Sequence, residues 1–159
     1  MSCSVAQCLE VVGEWWSLLI VRDALLGVTR FDDFQRRLGI SRNVLRDRLS
    51  RLVAEGVFDK VHYQEHPVRY DYRLTDKGRD LSPVVTALRE WGDRHTSPGG
   101  PPVRLVHTAC GSDVHLVHRC ERCAQTVERT DVRVVPGPAY ANGLIPRAEP
   151  RAEEAAAWR

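Results

Sequence analysis

The fold is indicated most clearly by FDDFQRRLGISRNVLRDRLSRLVAEGVFDKVHYQEHPVRYDYRL, residues 31–74. Its opening part, FDDFQRRL, has acids in the first turn and stops at Gly39, which is typical of a short helix and the turn that ends it. The next part starts at Ser41, a favoured N-cap residue, and closes at Gly56, which predicts a second helix of roughly four turns. The two helices and their glycine turn indicate a helix-turn-helix.

The second helix, residues 41–55, separates an apolar face from a polar face. At about 100° per residue, one side collects Val44, Leu45, Leu49, Leu52 and Val53. The opposite arc holds Asn43, Arg46, Asp47, Ser50 and Arg51, with Arg42 at its edge. A core face and an arginine-bearing face suit a recognition helix, although arginines balanced by nearby acids also occur on ordinary solvated helices.

Two extended runs follow the second helix, VFDKVHYQ and VRYDYRL, with Glu65, His66 and Pro67 between them. Their β-branched and aromatic content and partial alternation favour a β-hairpin over residues 57–74. Such a hairpin beside a helix-turn-helix is a wing, and His66 and Arg69 near its tip would reach a phosphate backbone or a minor groove. The tyrosines of the wing suit sheet packing equally well.

Basic charge is concentrated on this segment. The whole chain of 159 residues has a formal net charge of only +2, whereas residues 30–60 contain eight basic and five acidic residues. Basic residues that cluster on a helix-turn-helix and its wing attract the phosphates of a nucleic acid. The sequence therefore predicts binding of double-stranded DNA through the following residues: Arg36, Arg37, Ser41, Arg42, Asn43, Arg46, Arg51, His66 and Arg69.

Helices are predicted on both sides of the motif. Two helices are predicted before it, in VAQCLEVVG and WWSLLIVRDALLG. Cys8 of the first helix is expected to be buried. The residues of the second helix that are expected in the core are Leu18, Leu19, Val21, Leu25 and Leu26. After the wing, Thr75 is an N-cap, apolar residues recur at helical spacing from Leu81 to Trp91, and Pro83 follows a kink or a restart. The first and last helices together predict a homodimer interface. A homodimer would present two recognition helices to adjacent half-sites of DNA.

Length and composition indicate one domain with an extension. A hydrophobic share of 43% and a charged share of 28% are ordinary for a globular chain. The expected fold class is α+β, mainly helical, with four segments: residues 1–95, a winged helix-turn-helix for DNA binding and dimerisation; 96–102, a linker; 103–135, a β-hairpin or zinc-ribbon-like extension; and 136–159, a flexible tail. No secretory signal or membrane-length apolar run is visible, so a cytoplasmic location is expected.

The extension contains two pairs of metal-ligand residues. His107 and Cys110 form H-x2-C, Cys120 and Cys123 form C-x2-C, and strands are expected at Val103–His107 and Val114–Cys120. Two such pairs on tight turns fit one structural zinc per chain. A redox pair of Cys120 and Cys123, or four ordinary residues of a hairpin, are alternatives. His115 and His118 are substitute ligands in the zinc hypothesis.

Catalytic motifs are missing from the sequence. No glycine-rich phosphate loop, activated serine or paired carboxylates can be identified, so an enzyme is not expected. Two function classes remain: a DNA-binding regulator, and a winged-helix module that binds proteins and docks through its C-terminal hairpin. The protein-binding class would require apolar residues where Arg42, Asn43 and Arg46 stand. No effector, operator, target gene or sign of regulation can be named.

The order of these motifs resembles the HxlR-type transcriptional regulators, winged-helix proteins related to the MarR-like group. The resemblance covers residues 3–95 and rests on CSVAQCLEVVGEWWSLLIVRDALLG, RFDDFQRRLGISRNVLRDRLSRLVAEGVF, YQEHPVRYDYRLTDKGRDL and REWGDRH. It implies a homodimer on operator DNA, with the helix from Ser41 in the major groove and the hairpin tip on the flank. Some family members use a cysteine ahead of the first helix as a redox switch, and Cys3 matches that position, which makes a redox-sensing regulator a further alternative.

Overall fold

The structure, a computed structural model, describes residues 3–138, so the predicted tail lies largely outside the described residues. The chain is α+β, as predicted, and its elements follow in order: α1 Ser4–Val12, α2 Trp15–Leu25, α3 Phe31–Leu38, α4 Arg42–Ala54, β1 Phe58–Gln64, β2 Arg69–Leu74, α5 Asp76–Arg79 and α6 Ser82–His95. One compact unit extends to Val114, and a second begins at His115. The predicted linker at 96–102 contains no helix or strand, but the units do not divide there.

The helix-turn-helix has the predicted bounds. Helix α3 ends at Gly39, and the Ser41 hydroxyl caps α4 by accepting a hydrogen bond from the Val44 backbone N–H at 3.3 Å. Leu45 and Leu49 are completely buried, as is Leu52 one turn later. The apolar face of α4 thus packs inward, which leaves its polar arc exposed.

The hydrophobic core lies where α2, α3 and α4 meet the base of the wing. Phe34 and Phe58 pack edge to face with ring centroids 6.4 Å apart. The buried apolar residues among those described are Val12, Ile20, Val21, Phe34, Ile40, Leu45, Leu49, Leu52, Val57 and Phe58. Burial of this apolar surface is the dominant favourable term for such a fold.

Two core assignments made from the sequence are wrong. Leu26 is 58% exposed because it lies just past the last turn of α2, whose buried face runs through Ser17, Ile20 and Val21. Cys8 is exposed because the buried contact of α1 is made by Val12 instead. No helix within residues 3–138 could span a membrane alone; α1 and α2 have the length and apolarity only as a pair bent by 80°.

The wing is an antiparallel hairpin fixed at its base by α5. Thr75 caps α5 by accepting from the Gly78 N–H at 3.1 Å, and its own N–H donates to the Val57 carbonyl at 3.1 Å. A β-carbon at Gly78 would lie 2.3 Å from that same carbonyl oxygen, so this close approach requires glycine. The predicted break before Pro83 is confirmed, since α5 ends at Arg79 and α6 begins at Ser82.

The strands predicted at Val103–His107 and Val114–Cys120 do not form. The extension contains two isolated antiparallel bridges instead, Val106 with Asp113 and Arg119 with Thr126. Each bridge closes a tight turn, because the residues that pair are those flanking the same turn. The predicted hairpin is therefore replaced by two local turns, each of which closes on itself.

Candidate nucleic-acid interface

A groove of about 550 Å³ runs between the starts of α3 and α4 and the wing. Three wing tyrosines, Tyr63, Tyr70 and Tyr72, contribute aromatic surface to its lining, which also includes only two acidic residues, Asp32 and Asp33. Six basic residues line it: Arg30, Arg36, Arg42, Arg46, Lys60 and Arg69. A concave surface with excess positive charge attracts a polyanion.

Arg42 and Arg46 lie on successive turns of α4 but are held differently. The Arg42 Nη1 atom donates to Asp32 Oδ1 at 2.8 Å and to Gln35 Oε1 at 2.9 Å. Its guanidinium also lies over the Phe31 ring, 4.9 Å from the centroid. Arg46 makes one long hydrogen bond, from Nη1 to Asn43 Oδ1 at 3.4 Å. Arg42 is therefore tethered to α3, whereas Arg46 keeps most of its donors for another partner.

Cations stack on tyrosine rings of the wing. Lys60 Nζ lies 4.0 Å from the Tyr70 ring centroid, and the Arg30 guanidinium carbon lies 5.0 Å from that of Tyr63. Cation–π contacts of this kind hold charged side chains over an aromatic face. Burial raises the pKa of Tyr72 above its ordinary value and Tyr70 adds to this, while the positive charge of Arg46 opposes it. Tyr72 thus keeps its hydroxyl proton at neutral pH.

The predicted DNA-contacting residues fall into three groups. Four of them line the groove, namely Arg36, Arg42, Arg46 and Arg69. Ser41 caps α4, Asn43 is exposed on its first turn, and His66 is exposed at the hairpin tip. Arg37 and Arg51 are the third group and point to other partners.

Arg37 and Arg51 form contacts that join helices. Arg37 Nε donates to Asp23 Oδ2 at 3.1 Å, and Asp23 is completely buried on α2. Arg51 donates through Nη2 to the Glu10 carbonyl oxygen of α1. These contacts give both arginines a structural role and do not support the predicted contact with DNA.

Three of the residues described above were not identified from the sequence. Arg30 and Lys60 line the groove although they were counted only as charges. The register of the wing could have indicated Lys60, because it stands opposite Tyr72 on the neighbouring strand. The third is Asp23, which also pairs with Arg22 Nη2 at 2.8 Å. An acid within the apolar run of α2 was the available signal, since buried carboxylates are almost always paired.

The predicted metal and redox residues lie outside the groove. His107 Nδ1 and Cys110 Sγ are 3.3 Å apart in one turn of the extension, and Cys120 and Cys123 share another. Hydrogen bonds from Ser112 lower the pKa of the Cys110 thiol, and hydrogen bonds from Cys123 and the Arg122 backbone lower that of Cys120. Within residues 3–138, no three His, Cys, Asp or Glu side chains are grouped to hold a metal. Cys3 is exposed directly before α1.

Known proteins share this fold and sequence. The sequence model of the HxlR-like helix-turn-helix family matches residues 11–99. An HTH-type transcriptional regulator of Mycobacterium bovis, Mb3122, is 44% identical, over 86% of this chain and 87% of its own length. The crystal structure of PA1607, described as a candidate transcription factor, is 43% identical with a TM-score of 0.76, over 86% of this chain and 96% of its own. The redox regulator HypR in its oxidised form is 32% identical with a TM-score of 0.54, over 58% of this chain and 96% of its own.

The relatives differ in how much of this chain they match. Mb3122 and PA1607 each match 86% of this chain. HypR matches a shorter part, comparable in length to the family match at 11–99. The helix-turn-helix, the wing and the matched relatives agree: the chain belongs to the HxlR-like helix-turn-helix family of transcriptional regulators.

Proposed function

We propose that this regulator binds operator DNA as a homodimer, with α4 in the major groove and the wing against the flanking backbone. The observation that carries the proposal is the groove between α4 and the wing, with its six basic residues. A duplex presents phosphates beside the base edges of its major groove, so a recognition helix needs cations around it. Eight of the fourteen residues that line the groove are charged, which disfavours the alternative of a protein-binding module.

Within the groove, we assign different tasks to the two α4 arginines. Arg46 is exposed and weakly held by Asn43, so its guanidinium is free to pair with a base edge, most favourably with guanine O6 and N7. Arg42 is bound by Asp32 and Gln35 and suits a phosphate contact that fixes the register. Lys60 and Arg69 extend the positive surface onto the wing.

The homodimer part of the proposal rests on exposed apolar side chains of α1 and α6. Leu9 is 55% exposed, and Leu88 and Trp91 are 53% and 56% exposed. No residue of α6 is buried within this chain. Large apolar side chains left in water on neighbouring turns mark an interaction surface, and a two-fold dimer covers the same patch on both copies.

Replacement of Arg46 by alanine tests the reading role. DNA fragments selected from a random pool by the purified protein define the operator, and binding to it is then compared with binding to random DNA. Arg46→Ala should weaken operator binding and relax preference at one position per half-site, since a bidentate contact discriminates by about 1–3 kcal/mol. Arg73→Ala is the matched control, because it removes the same charge from a residue of β2 that does not line the groove. Unchanged affinity and preference in Arg46→Ala would show that α4 does not read bases through this residue.

The oligomeric state tests the dimer. Light scattering should give twice the chain mass, and Leu88→Arg should shift the protein to monomers with weaker operator binding. Arg94→Ala changes an exposed charged residue of the same helix and should leave the mass unchanged. A wild-type monomer that protects a single half-site would contradict the homodimer.

A second candidate, redox sensing through Cys3, is favoured by the similarity to HypR and by the exposure of Cys3 before α1. In that case, an oxidant changes operator affinity and Cys3→Ser removes the response. Cys8→Ser is the matched control because Cys8 is also exposed. A response that persists in Cys3→Ser would exclude this residue as the sensor.

A further inference from the structure

Arg42 lies where the turn of the helix-turn-helix passes into α4, and its backbone is fixed on both sides. Gly39 ends α3 in the left-handed conformation, with a φ of 66°, and the Ser41 hydroxyl caps α4. Arg42 is the first residue of α4 itself. The backbone of Arg42 is therefore held relative to α3, and the position of its guanidinium depends on the contacts of its side chain.

Three side chains of α3 hold the guanidinium of Arg42. Asp32 Oδ1 and Gln35 Oε1 accept hydrogen bonds of 2.8 and 2.9 Å, and the Phe31 ring centroid lies 4.9 Å from the guanidinium carbon. Phe31 also packs against the buried core, so its ring is itself anchored. Two acceptors and an aromatic face restrict a guanidinium more than a single ion pair does.

These contacts leave one edge of the guanidinium open. Both hydrogen bonds that Arg42 donates within residues 3–138 come from Nη1. A guanidinium carries five N–H donors, so the hydrogens of Nε and Nη2 remain for a ligand. Nε and Nη2 together form a fork that matches two oxygens of one phosphate. Arg42 therefore presents an oriented phosphate-binding fork before any DNA is bound.

The other acid that lines the groove, Asp33, makes a different contact. It binds Arg36 Nη2 at 3.1 Å, and this pair lies within α3, at positions i and i+3. The pair of Asp32 and Arg42 instead joins α3 to α4. Both pairs are accessible to solvent, so neither contributes much to stability. Asp32 differs from Asp33 because it orients a side chain of the recognition helix.

Asp32 has two opposite effects on DNA binding. Its carboxylate is 57% exposed in a groove that attracts phosphates, and a negative charge there weakens binding to every sequence alike. Its hold on Arg42 favours one binding register, because ordering a long side chain during binding otherwise weakens affinity by a factor of about 2 to 10. Specificity is a difference between affinities, so both effects favour the operator relative to random DNA.

We propose that Asp32 is a specificity-determining residue of this regulator, which acts by positioning Arg42 and does not itself contact DNA. The inference rests on the operator binding proposed above. While Arg42 is held, its fork meets a phosphate at one fixed place beside α4, and binding in other registers loses this contact. Once Arg42 is released, its flexible side chain reaches phosphates in any register. Random DNA then gains a contact that the operator already had.

Affinities of the full-length protein for the selected operator and for random DNA of equal length test this role. Asp32→Ala should bind random DNA more tightly and should lower the operator-to-random ratio of affinities by about 2- to 10-fold. Asp33→Ala is the matched control, because it removes the same charge from the same groove and leaves the contacts of Arg42 in place. It should strengthen binding to both DNAs by a similar factor, with the wild-type ratio.

Two further variants separate orientation from charge and from folding. Asp32→Asn loses the charge but keeps an oxygen that can accept from Arg42 Nη1, so it should retain most of the ratio. Gln35→Ala keeps the charge of Asp32 and removes the other acceptor, so it should lower the ratio. Circular dichroism identifies the variants that fold. A lower ratio in Asp32→Asn as large as in Asp32→Ala would show that charge alone is responsible.

A double-mutant cycle tests whether Asp32 acts through Arg42. In the Arg42→Ala background, Asp32→Ala should leave the ratio unchanged, because the side chain that Asp32 positions is absent. A fall in the ratio that persists in this background would overturn the proposal. Equal ratios for the wild type and Asp32→Ala would also overturn it, while operator binding would stand. A wild type that binds operator and random DNA equally would overturn operator binding, and this inference with it.

Discussion

Residues 4–95 and residues 99–138 are stabilised in opposite ways. The first region contains all the buried apolar residues among those described, from Val12 to Phe58. In the second region no described residue is buried, and the turns are held by hydrogen bonds and ion pairs. One short chain thus combines a region whose shape follows from burial with a region whose shape follows from local polar contacts. Identical substitutions should therefore have very different effects in the two regions.

The largest difference is expected for apolar truncation. Leu49→Ala removes a completely buried side chain and should lower the free energy of unfolding by about 2–5 kcal/mol, because it removes apolar contacts and leaves a cavity. Val117→Ala truncates a side chain that is 63% exposed and should change the free energy of unfolding by less than about 0.5 kcal/mol. Urea unfolding followed by circular dichroism measures both. Similar losses in the two variants would contradict the contrast in burial.

An intermediate difference is expected for carboxylates that bind arginine. Asp23→Ala removes a buried carboxylate that accepts from Arg22 and Arg37, and should cost about 1.5–3 kcal/mol of stability. Asp113→Ala removes the partner of Arg104, but this pair is largely exposed and screened by solvent, so its effect on stability should be clearly smaller than that of Asp23→Ala. Thermal unfolding of the two variants under one buffer gives the comparison. An effect of Asp113→Ala as large as that of Asp23→Ala would place the turns among the strongly stabilising elements.

A smaller effect than that of Asp23→Ala is expected where backbone strain is released. Ala124→Gly removes a β-carbon from the left-handed region and should stabilise the second turn by about 0.5–1 kcal/mol. Gly39→Ala introduces the same strain at the end of α3, where φ is 66°, and should cost about 1 kcal/mol. Amide hydrogen exchange at each turn reports the local change. Faster exchange in Ala124→Gly would show that this alanine is not strained.

The helix-turn-helix and the wing could be predicted from local patterns in the sequence. Gly39, Ser41 and Gly56 delimit α3 and α4, and the apolar face of α4 follows from helical spacing. The paired strands follow from the two β-rich runs around residues 65–67. These features could be predicted because capping, turn formation and periodicity act between residues close in the chain.

Which arginines belong to the candidate interface depends on the packing of elements that are distant in the sequence. Arg37 is bound to buried Asp23, and Arg51 is bound to the Glu10 carbonyl. Arg30 lines the groove, although its neighbours in the sequence did not indicate a role in DNA binding. Leu26 is exposed for a similar reason, since α2 ends before its side chain can reach the core. An arginine's partner and a leucine's burial depend on which distant element packs against them, and the folding of the whole unit sets that arrangement.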